Sequence, residues 1–289
     1  MLLVLPVSHV DLGMALNMAK WAKGLGPYGR HRALIVWAKE IQHHDRRLFR
    51  TLVDGWGLEL VAEIEPVLKL DEMGWPAGPN GMFRQTVMHI QRSADLRMPW
   101  YFFEADNLPI VPGWLDRIEA DYMRTRHQYP CMGVLENSWV EARSGNTVKR
   151  IPVGKHLVGT AVYPWELMRF TTAFMSCGNR AFDVVMQNDL VPYYARHTNL
   201  IQHNWLTCNY RWQGDRLVCD AAEGKIPGQK GYALNHDVVI GTSVVVHGCK
   251  DGSLLSAMQG REKQVALLST VVKDKPAKPR NVRKQPAVT

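Results

Sequence analysis

The chain has 289 residues, of which 46% are hydrophobic and 21% charged, a composition that excludes an intrinsically disordered protein and suits one large domain or two small ones. Its net charge of +8 favours an anionic partner, although a basic protein without such a partner would carry the same charge. The five cysteines are scattered without a C-x-x-C pair, which argues against a zinc ribbon or a disulfide framework and for a reducing compartment. No run reaches the roughly 18 apolar residues of a membrane-spanning helix, and the apolar start is too short for a signal peptide. We therefore expect a cytoplasmic protein without stable membrane insertion.

The first 64 residues alternate buried strands with helices. A continuous apolar run, MLLVLPV, is typical of a strand buried on both faces, and two more such runs follow, RALIVWA and LELVAEI. Between them lie two segments with apolar residues at helical spacing and glycines at their ends, SHVDLGMALNMAKWAKGLG and HHDRRLFRTLVDGWG. This order predicts a doubly wound α/β unit. No G-x-G-x-x-G or Walker A sequence follows the first strand, which disfavours a dinucleotide or P-loop site.

The rest of the chain does not continue the regular alternation of strands and helices. We expect a helix over MFRQTVMHIQRSADL, strands at PWYFFEAD and CMGVLE, and a second helix over YPWELMRFTTAFMSC. Loops and short strands are expected over 136–162, long loops over 184–240, and a late strand, SVVVHGCKDGSL, that ends on His247. The pattern predicts one domain over 1–262. Residues 263–289, which end in KDKPAKPRNVRKQPAVT, are predicted to be a disordered basic tail because they lack apolar periodicity.

Two acids, Glu104 and Asp106, follow the apolar run of the predicted fourth strand. Ligands of open α/β sheets bind at the carboxyl ends of the strands, and a spacing of two puts both side chains on one side of an extended chain. Two neighbouring carboxylates repel each other unless a cation lies between them. Oxygen ligands of this kind suit Mg²⁺ or Mn²⁺. The alternative is a structural role, in which Asp106 or Asn107 caps the segment that follows.

The predicted late strand ends on a second group of polar residues, His247-Gly248-Cys249-Lys250. A histidine can complete the coordination of a metal ion, and a lysine beside a glycine can reach a diphosphate oxygen. A single histidine at a strand end is more often structural. The combination with an acidic pair favours a functional site.

These patterns resemble nucleotide-sugar glycosyltransferases of the GT-A fold over residues 1 to about 260. Such enzymes start with a nucleotide-binding strand and helix, carry an acidic D-x-D-type motif after a middle strand, and often have a histidine and a lysine near the C-terminus. Here Glu104 departs from the motif in its first acid. The resemblance implies an α/β fold with a GT-A-like, Rossmann-like mixed sheet flanked by helices and with long acceptor-side loops.

The resemblance also implies a donor site for a nucleotide sugar, in the first instance a UDP-sugar, with Mn²⁺ or Mg²⁺. Asp106 would bind the metal, Glu104 would share it or bind the ribose, His247 would be the third ligand, and Lys250 would neutralise the leaving diphosphate. The remaining donor-side residues are the group under the base and ribose and the pair that would hold the sugar or diphosphate: Pro6, Val7, Ser8 and Asp11, and then Asn80 and Arg84. A turn residue and a solvated helix face are the structural alternatives for this last pair.

The sequence defines the acceptor side of the site less clearly than the donor side. Asp183 is the candidate general base, with Asp189 and Asp237 as competitors, and retention or inversion of the anomeric centre stays open. The basic tail, together with aromatic and basic residues in YYARHTN and NYRWQGDR, favours a polyanion. Compact transferases of this kind resemble viral enzymes that glycosylate hydroxymethylated pyrimidines in DNA. The alternatives are a saccharide or lipid-linked glycan as acceptor, a metal-dependent nuclease or phosphatase, and a non-catalytic nucleic-acid-binding module.

Overall fold

The computed structural model describes residues 1–67, 74–144, 147–203, 207–221, 236–238, 242–248 and 250–262. The helices, in chain order, are α1 (Leu12–Lys23), α2 (His43–Asp54), α3 (Ala77–Arg92), α4 (Trp114–Thr125), α5 (Phe182–Val185), α6 (Gln187–Leu190) and α7 (253–262). The strands are β1 (Leu2–Val7), β2 (Arg32–Trp37), β3 (Glu59–Ile64), β4 (Trp100–Phe102), β5 (Asn107–Pro109), β6 (Cys131–Gly133), β7 (Leu135–Ser144), β8 (Thr147–Leu157), β9 (Val162–Tyr163), β10 (Ala195–His197), β11 (Ile201–His203), β12 (Thr207–Gln213), β13 (Arg216–Ala221), β14 (His236–Val238) and β15 (Val245–His247).

The main sheet has seven strands in the order β10-β6-β9-β4-β1-β2-β3. The four strands β4, β1, β2 and β3 run parallel, whereas β9 is antiparallel to both β4 and β6. The first three strands alternate with α1 and α2, as the hydrophobic pattern predicts. The prediction of an α/β fold with a mixed sheet flanked by helices is thus confirmed.

Alternate residues of the central strands enter two separate cores. In β1, Leu3, Leu5 and Val7 pack on the side covered by α1, α2 and α4. Leu2 and Val4 pack on the other side, against α3, α5 and α6. The strand is apolar at every position because both of its faces are buried, which is the arrangement expected for parallel strands between helices.

An aromatic cluster fixes the short helix α5 against the sheet. The ring of Phe83 on α3 stacks on Phe182 at the start of α5, with centroids 3.9 Å apart and an angle of 14° between the planes. Phe83 also meets the edges of Phe102 on β4 and Tyr163 on β9. All four rings are buried, so this cluster fixes the position of Asp183, the next residue after Phe182.

A second sheet has three strands in the order β11-β15-β5. Strand β15 pairs antiparallel with β5, so that His247 lies opposite Asn107. It pairs parallel with β11, so that His247 also lies beside His203. The late strand therefore ends at the turn that carries the acidic pair.

Three local predictions are wrong. The fourth strand ends at Phe102, not at Asp106, and a turn followed by β5 replaces its predicted end. The expected helix over 163–177 is a pair of 3₁₀ turns, Leu167–Arg169 and Ala173–Ser176, because the hydroxyl of Thr171 accepts the Ala173 amide and interrupts the helix. Residues 136–162, expected to be loops and short strands, mostly form the long hairpin of β7 and β8.

The region expected to hold long acceptor-side loops, 184–240, contains α6 and the strands β10 to β14 in its described parts. The basic tail at 263–289 lies outside the described residues, so the domain boundary after 262 stays a prediction. In the described part of the chain no helix is both long and apolar enough to cross a bilayer. Among the described cysteines, Cys131 is a buried thiol and Cys177 a partly buried one.

Candidate metal and nucleotide site

A tight turn between β4 and β5 presents the two acids. The amide of Phe103 still donates to the carbonyl of Val4 on β1, at 2.9 Å. The chain then turns, and both the amide and the side-chain Nδ2 of Asn107 donate to the carbonyl of Glu104, each at 3.0 Å. The acids therefore lie in a turn whose shape is held by Asn107, itself 1% exposed.

The structure brings Glu104, Asp106 and His247 together. The His247 Nε2 lies 3.0 Å from Glu104 Oε2 and 3.2 Å from Asp106 Oδ1. One ligand atom of each residue lies within 4.8 Å of the others. The antiparallel pairing of β15 with β5 explains this contact, and the Gly248 amide adds a hydrogen bond of 3.2 Å to the carbonyl of Asp106. The three predicted metal ligands thus form one cluster although the histidine lies 141 positions after Asp106 in the chain.

The electrostatics of the cluster are those of a cation site. Burial acts to raise the pKa of the Asp106 carboxyl, but the charges of His247 and Lys250 and the hydrogen bond from His247 outweigh it, so the pKa lies below its ordinary value. Burial acts to lower the pKa of His247, but Asp106 and Glu104 raise it to about 10. Without a metal ion, the His247 imidazolium is therefore the cation between the two carboxylates.

The residues fit a hard divalent ion. Two carboxylates and an imidazole offer oxygen and nitrogen ligands that suit Mn²⁺ or Mg²⁺. The described residues contain a second group of this kind, His31, Asp116 and Glu119. There the guanidinium of Arg30 pairs with both carboxylates, so that group already has its cation.

A cavity of about 520 Å³ opens beside the cluster, which is within the usual size of small-molecule sites. Its wall contains eight of the eleven predicted site residues: Pro6, Ser8, Asp11, Glu104, Asp106, Asp183, His247 and Lys250. The carboxyl end of β1 and the turn after β4 thus face one space, as expected for neighbouring parallel strands.

Ser8 and Asp11 form a small hydrogen-bonded unit at the mouth of β1. The hydroxyl of Ser8 donates to Asp11 Oδ2 at 2.7 Å, and the amide of Asp11 donates to the same hydroxyl at 3.2 Å. Lys250 lines the same cavity; its ammonium lies 3.7 Å from Asp106 Oδ2, and its side chain is 64% exposed. The lysine therefore keeps most of its donors available for a ligand.

The other three predicted donor residues do not line the cavity. Val7 is 1% exposed and belongs to the core beneath β1. Asn80 is 4% exposed; its Nδ2 donates to the Arg180 carbonyl at 2.8 Å and its Oδ1 accepts the Phe182 amide at 2.7 Å. Arg84 lies on α3 with its charge near the thiol of Cys177. In the structure Asn80 holds the start of α5.

The candidate base Asp183 is held by backbone amides. Its Oδ1 accepts the Val184 amide at 2.9 Å, and its Oδ2 accepts the Gly159 amide at 3.2 Å. Burial raises the pKa of its carboxyl, and the nearby His156, with Nε2 3.7 Å from Oδ2, opposes that shift. Of its two competitors, Asp189 accepts the hydroxyl of Thr171 at 2.6 Å, and Asp237 lies on β14.

Sequence reasoning missed two histidines of the cavity wall, His156 and His203. His203 ends β11 in the way that His247 ends β15, as the last residue of a short strand. His156 sits in the long hairpin that the sequence did not predict, so nothing local distinguished it.

No family model matches the chain, and no curated protein matches it. Among solved structures, it is similar to galactosyltransferase LgtC in complex with donor and acceptor sugar analogues, at 9% identity and a TM-score of 0.44, covering 70% of this chain and 76% of that one. It is similar to the apo form of mouse xyloside xylosyltransferase 1, at 8% identity and a TM-score of 0.45, covering 70% and 87%. An active-site variant of LgtC matches at 10% identity and a TM-score of 0.45, covering 86% and 87%. At these values the similarities assign neither an activity nor a substrate.

Proposed function

We propose that the protein is a metal-dependent glycosyltransferase that uses a nucleotide sugar as donor. The observation that carries this proposal is the cluster of Glu104, Asp106 and His247 beside the exposed ammonium of Lys250, in the wall of a cavity of about 520 Å³. Mn²⁺ or Mg²⁺, once bound, supplies positive charge to the diphosphate of the donor. The cluster and the lysine together suit a ligand that carries a diphosphate.

Each residue has a defined task in this proposal. Glu104, Asp106 and His247 would hold the metal ion. Lys250 neutralises negative charge that develops on the leaving diphosphate, which lowers the barrier because that charge is larger in the transition state than in the bound donor. Ser8 and Asp11, at the mouth of β1, offer hydrogen bonds to the ribose and base of the donor, for which we favour uridine.

For Asp183 we propose the role of the base that faces the acceptor. Its carboxylate lies in the same cavity wall as the metal cluster. Its pKa is raised by burial, which makes it a better proton acceptor than an exposed carboxylate. Asp183→Asn should keep nucleoside diphosphate binding and lose transfer. Unchanged transfer would remove Asp183 from this role.

For the acceptor we propose a 5-hydroxymethylpyrimidine in DNA, in preference to a saccharide or a lipid-linked glycan. The support is the basic composition of 263–289, which lies outside the described residues. Each phosphate contact on duplex DNA contributes about 0.9 to the slope of log affinity against log salt. Deletion of 263–289 should flatten that slope by a few units and leave the hydrolysis of the donor unchanged. If the full chain has no measurable affinity for hydroxymethylated duplex at low salt, the acceptor is not DNA.

The experiment that tests the donor site is a panel of nucleotide sugars and nucleoside diphosphates in a thermal-shift assay, with Mn²⁺ or with a chelator. We expect one nucleotide to stabilise the protein only in the presence of Mn²⁺, because the diphosphate needs the metal to approach two carboxylates. Asp106→Asn should lose that shift while it keeps a cooperative unfolding transition. Stabilisation by DNA or by a phosphate ester, and by no nucleotide, would instead favour a metal-dependent nuclease or phosphatase.

A further inference from the structure

A second histidine lies directly behind the cluster of Glu104, Asp106 and His247. His203 is the last residue of β11, and the parallel register sets it beside His247. Their two Nδ1 atoms are 2.7 Å apart, and the ring centroids are 4.6 Å apart with an angle of 30° between the ring planes. The side chains are 11% and 9% exposed. This is a partly buried hydrogen bond between two imidazoles.

The position of the protons in this pair follows from the geometry. Two nitrogens 2.7 Å apart share one proton, because two N–H groups would clash and two lone pairs would repel. His247 can bind a metal through Nε2, on the side of Glu104 and Asp106, only if that nitrogen carries a lone pair. Neutral His247 then has its proton on Nδ1 and donates it to His203 Nδ1.

The same reasoning assigns the tautomer of His203. Because its Nδ1 accepts a hydrogen bond, the proton of the neutral ring lies on Nε2. That nitrogen is 3.6 Å from Oε2 of Glu136 on β7. The two atoms are too far apart for a hydrogen bond, but the carboxylate still places a negative charge on the N–H side of the His203 ring. A carboxylate, a histidine and a second histidine therefore lie in line behind the metal-facing nitrogen.

We propose that His203 is a positioning residue for the metal ion, which it serves by holding His247 in the tautomer with its proton on Nδ1. This inference rests on the proposed metal site. Histidine ligands of metals generally donate their second ring nitrogen to a carboxylate or carbonyl, and loss of that partner typically costs 10–100-fold in metal affinity. Here an imidazole backed by Glu136 takes the place of the usual partner.

His203 does not act as a fourth ligand in this arrangement. Its Nδ1 is engaged by His247, and its Nε2 points to Glu136. The ligand atoms that lie within 4.8 Å of one another belong to Glu104, Asp106 and His247. The contribution of His203 is therefore the orientation of another residue.

The test is the Mn²⁺ affinity of purified full-length protein, measured by the electron paramagnetic resonance signal of free Mn²⁺, with no substrate present. His203→Leu removes the acceptor and should weaken Mn²⁺ binding by about 10–100-fold. His203→Asn should restore most of the affinity, because the side-chain oxygen of asparagine can occupy the position of Nδ1. His127→Leu, on an exposed histidine after α4, is the matched control and should bind Mn²⁺ like the wild type.

If His203→Leu does not fold, His203→Gln takes its place. Its amide reaches the position of Nε2 and not that of Nδ1, so it should lose affinity where asparagine keeps it. A second readout is the tautomer itself, from long-range ¹H–¹⁵N spectra of the Mg²⁺-loaded protein with His247→Asn for assignment. Wild-type His247 should have its proton on Nδ1, and this preference should be lost in the variant that loses affinity.

The outcomes separate this inference from the proposed function. Wild-type protein that binds Mn²⁺, together with leucine and glutamine variants that bind it equally well, overturns the role of His203 and leaves the metal site intact. Equal losses in the asparagine and leucine variants also overturn it, because the effect would then be one of packing. Wild-type protein that binds no Mn²⁺ overturns both.

Discussion

Asn80→Ala decides between two roles for a buried amide. The resemblance to glycosyltransferases implies that Asn80 contacts the donor, whereas its side chain bonds the Arg180 carbonyl and the Phe182 amide. We expect the variant to lose stability first. Any effect on donor binding should follow indirectly, from movement of the segment that carries Asp183.

The magnitude follows from the two bonds. The Phe182 amide is buried, and leaving it without a partner costs about 1–3 kcal/mol. The Arg180 carbonyl is only partly buried and can turn to water, so loss of that bond costs about 0.5–1.5 kcal/mol. The variant should therefore be less stable by about 1.5–4.5 kcal/mol, and its melting temperature should fall by roughly 3–7 °C. Asn80→Asp keeps the acceptor for Phe182 and should lose less.

The assay is urea unfolding, paired with calorimetric titration of a nucleoside diphosphate and Mn²⁺ at a temperature where the variant is folded. The control is Asn17→Ala, on the exposed face of α1, which should change stability by less than about 0.5 kcal/mol. A variant as stable as the wild type that has lost nucleoside diphosphate binding would refute the structural role and return Asn80 to the donor site.

Lys250→Ala should weaken nucleoside diphosphate binding by about tenfold to a hundredfold, since a charge-assisted bond contributes about 1.5–3 kcal/mol. Calorimetric titration checks this, with Lys20→Ala on α1 as the control variant. Unchanged affinity for the nucleoside diphosphate would exclude the lysine from the donor site. In the metal-free protein, His247 has a pKa raised from 6.5 to about 10, so the stability it contributes is complete below about pH 6.5 and is lost as the pH rises towards 10. The urea midpoint in EDTA should therefore fall over that range in the wild type more than in His247→Asn, and parallel curves would contradict the assignment. Because metal binding displaces that proton, calorimetry of Mn²⁺ binding near pH 7.5 in two buffers of different ionisation enthalpy should report proton release, and identical heats would argue that His247 is not a ligand.

Much of the site could be predicted because its residues lie at ends of apolar strands. Glu104 and Asp106 follow the apolar run of β4, and His247 ends that of β15. Ligands bind at the carboxyl ends of parallel strands. This rule predicts that residues at such strand ends lie close together, even when it is not known which strands are neighbours in the sheet. The rule does not require the exact last residue of a strand. The predicted location of the two acids therefore holds, although β4 ends at Phe102, earlier than predicted.

The roles of buried polar residues could not be predicted from the sequence. Asn80 follows a Gly-Pro-rich stretch and looks like a turn residue, but its partners are Arg180 and Phe182, about 100 positions away. His203 contacts His247 only because the register of β11 on β15 places the two residues side by side. Contacts between residues so distant in the chain are set by how the sheets pack, and local pattern carries no information about them.

The most direct measurement is the identity of the products formed from a nucleotide sugar with Mn²⁺, followed by chromatography and mass spectrometry for the wild type and for Asp106→Asn. We predict that the wild type releases an intact nucleoside diphosphate and a free or transferred sugar, and that both products disappear with EDTA and in the variant. Release of a nucleoside monophosphate and a sugar phosphate would mean that the diphosphate bond is cut, and would contradict glycosyl transfer. Activity that is unchanged in EDTA would contradict the metal site.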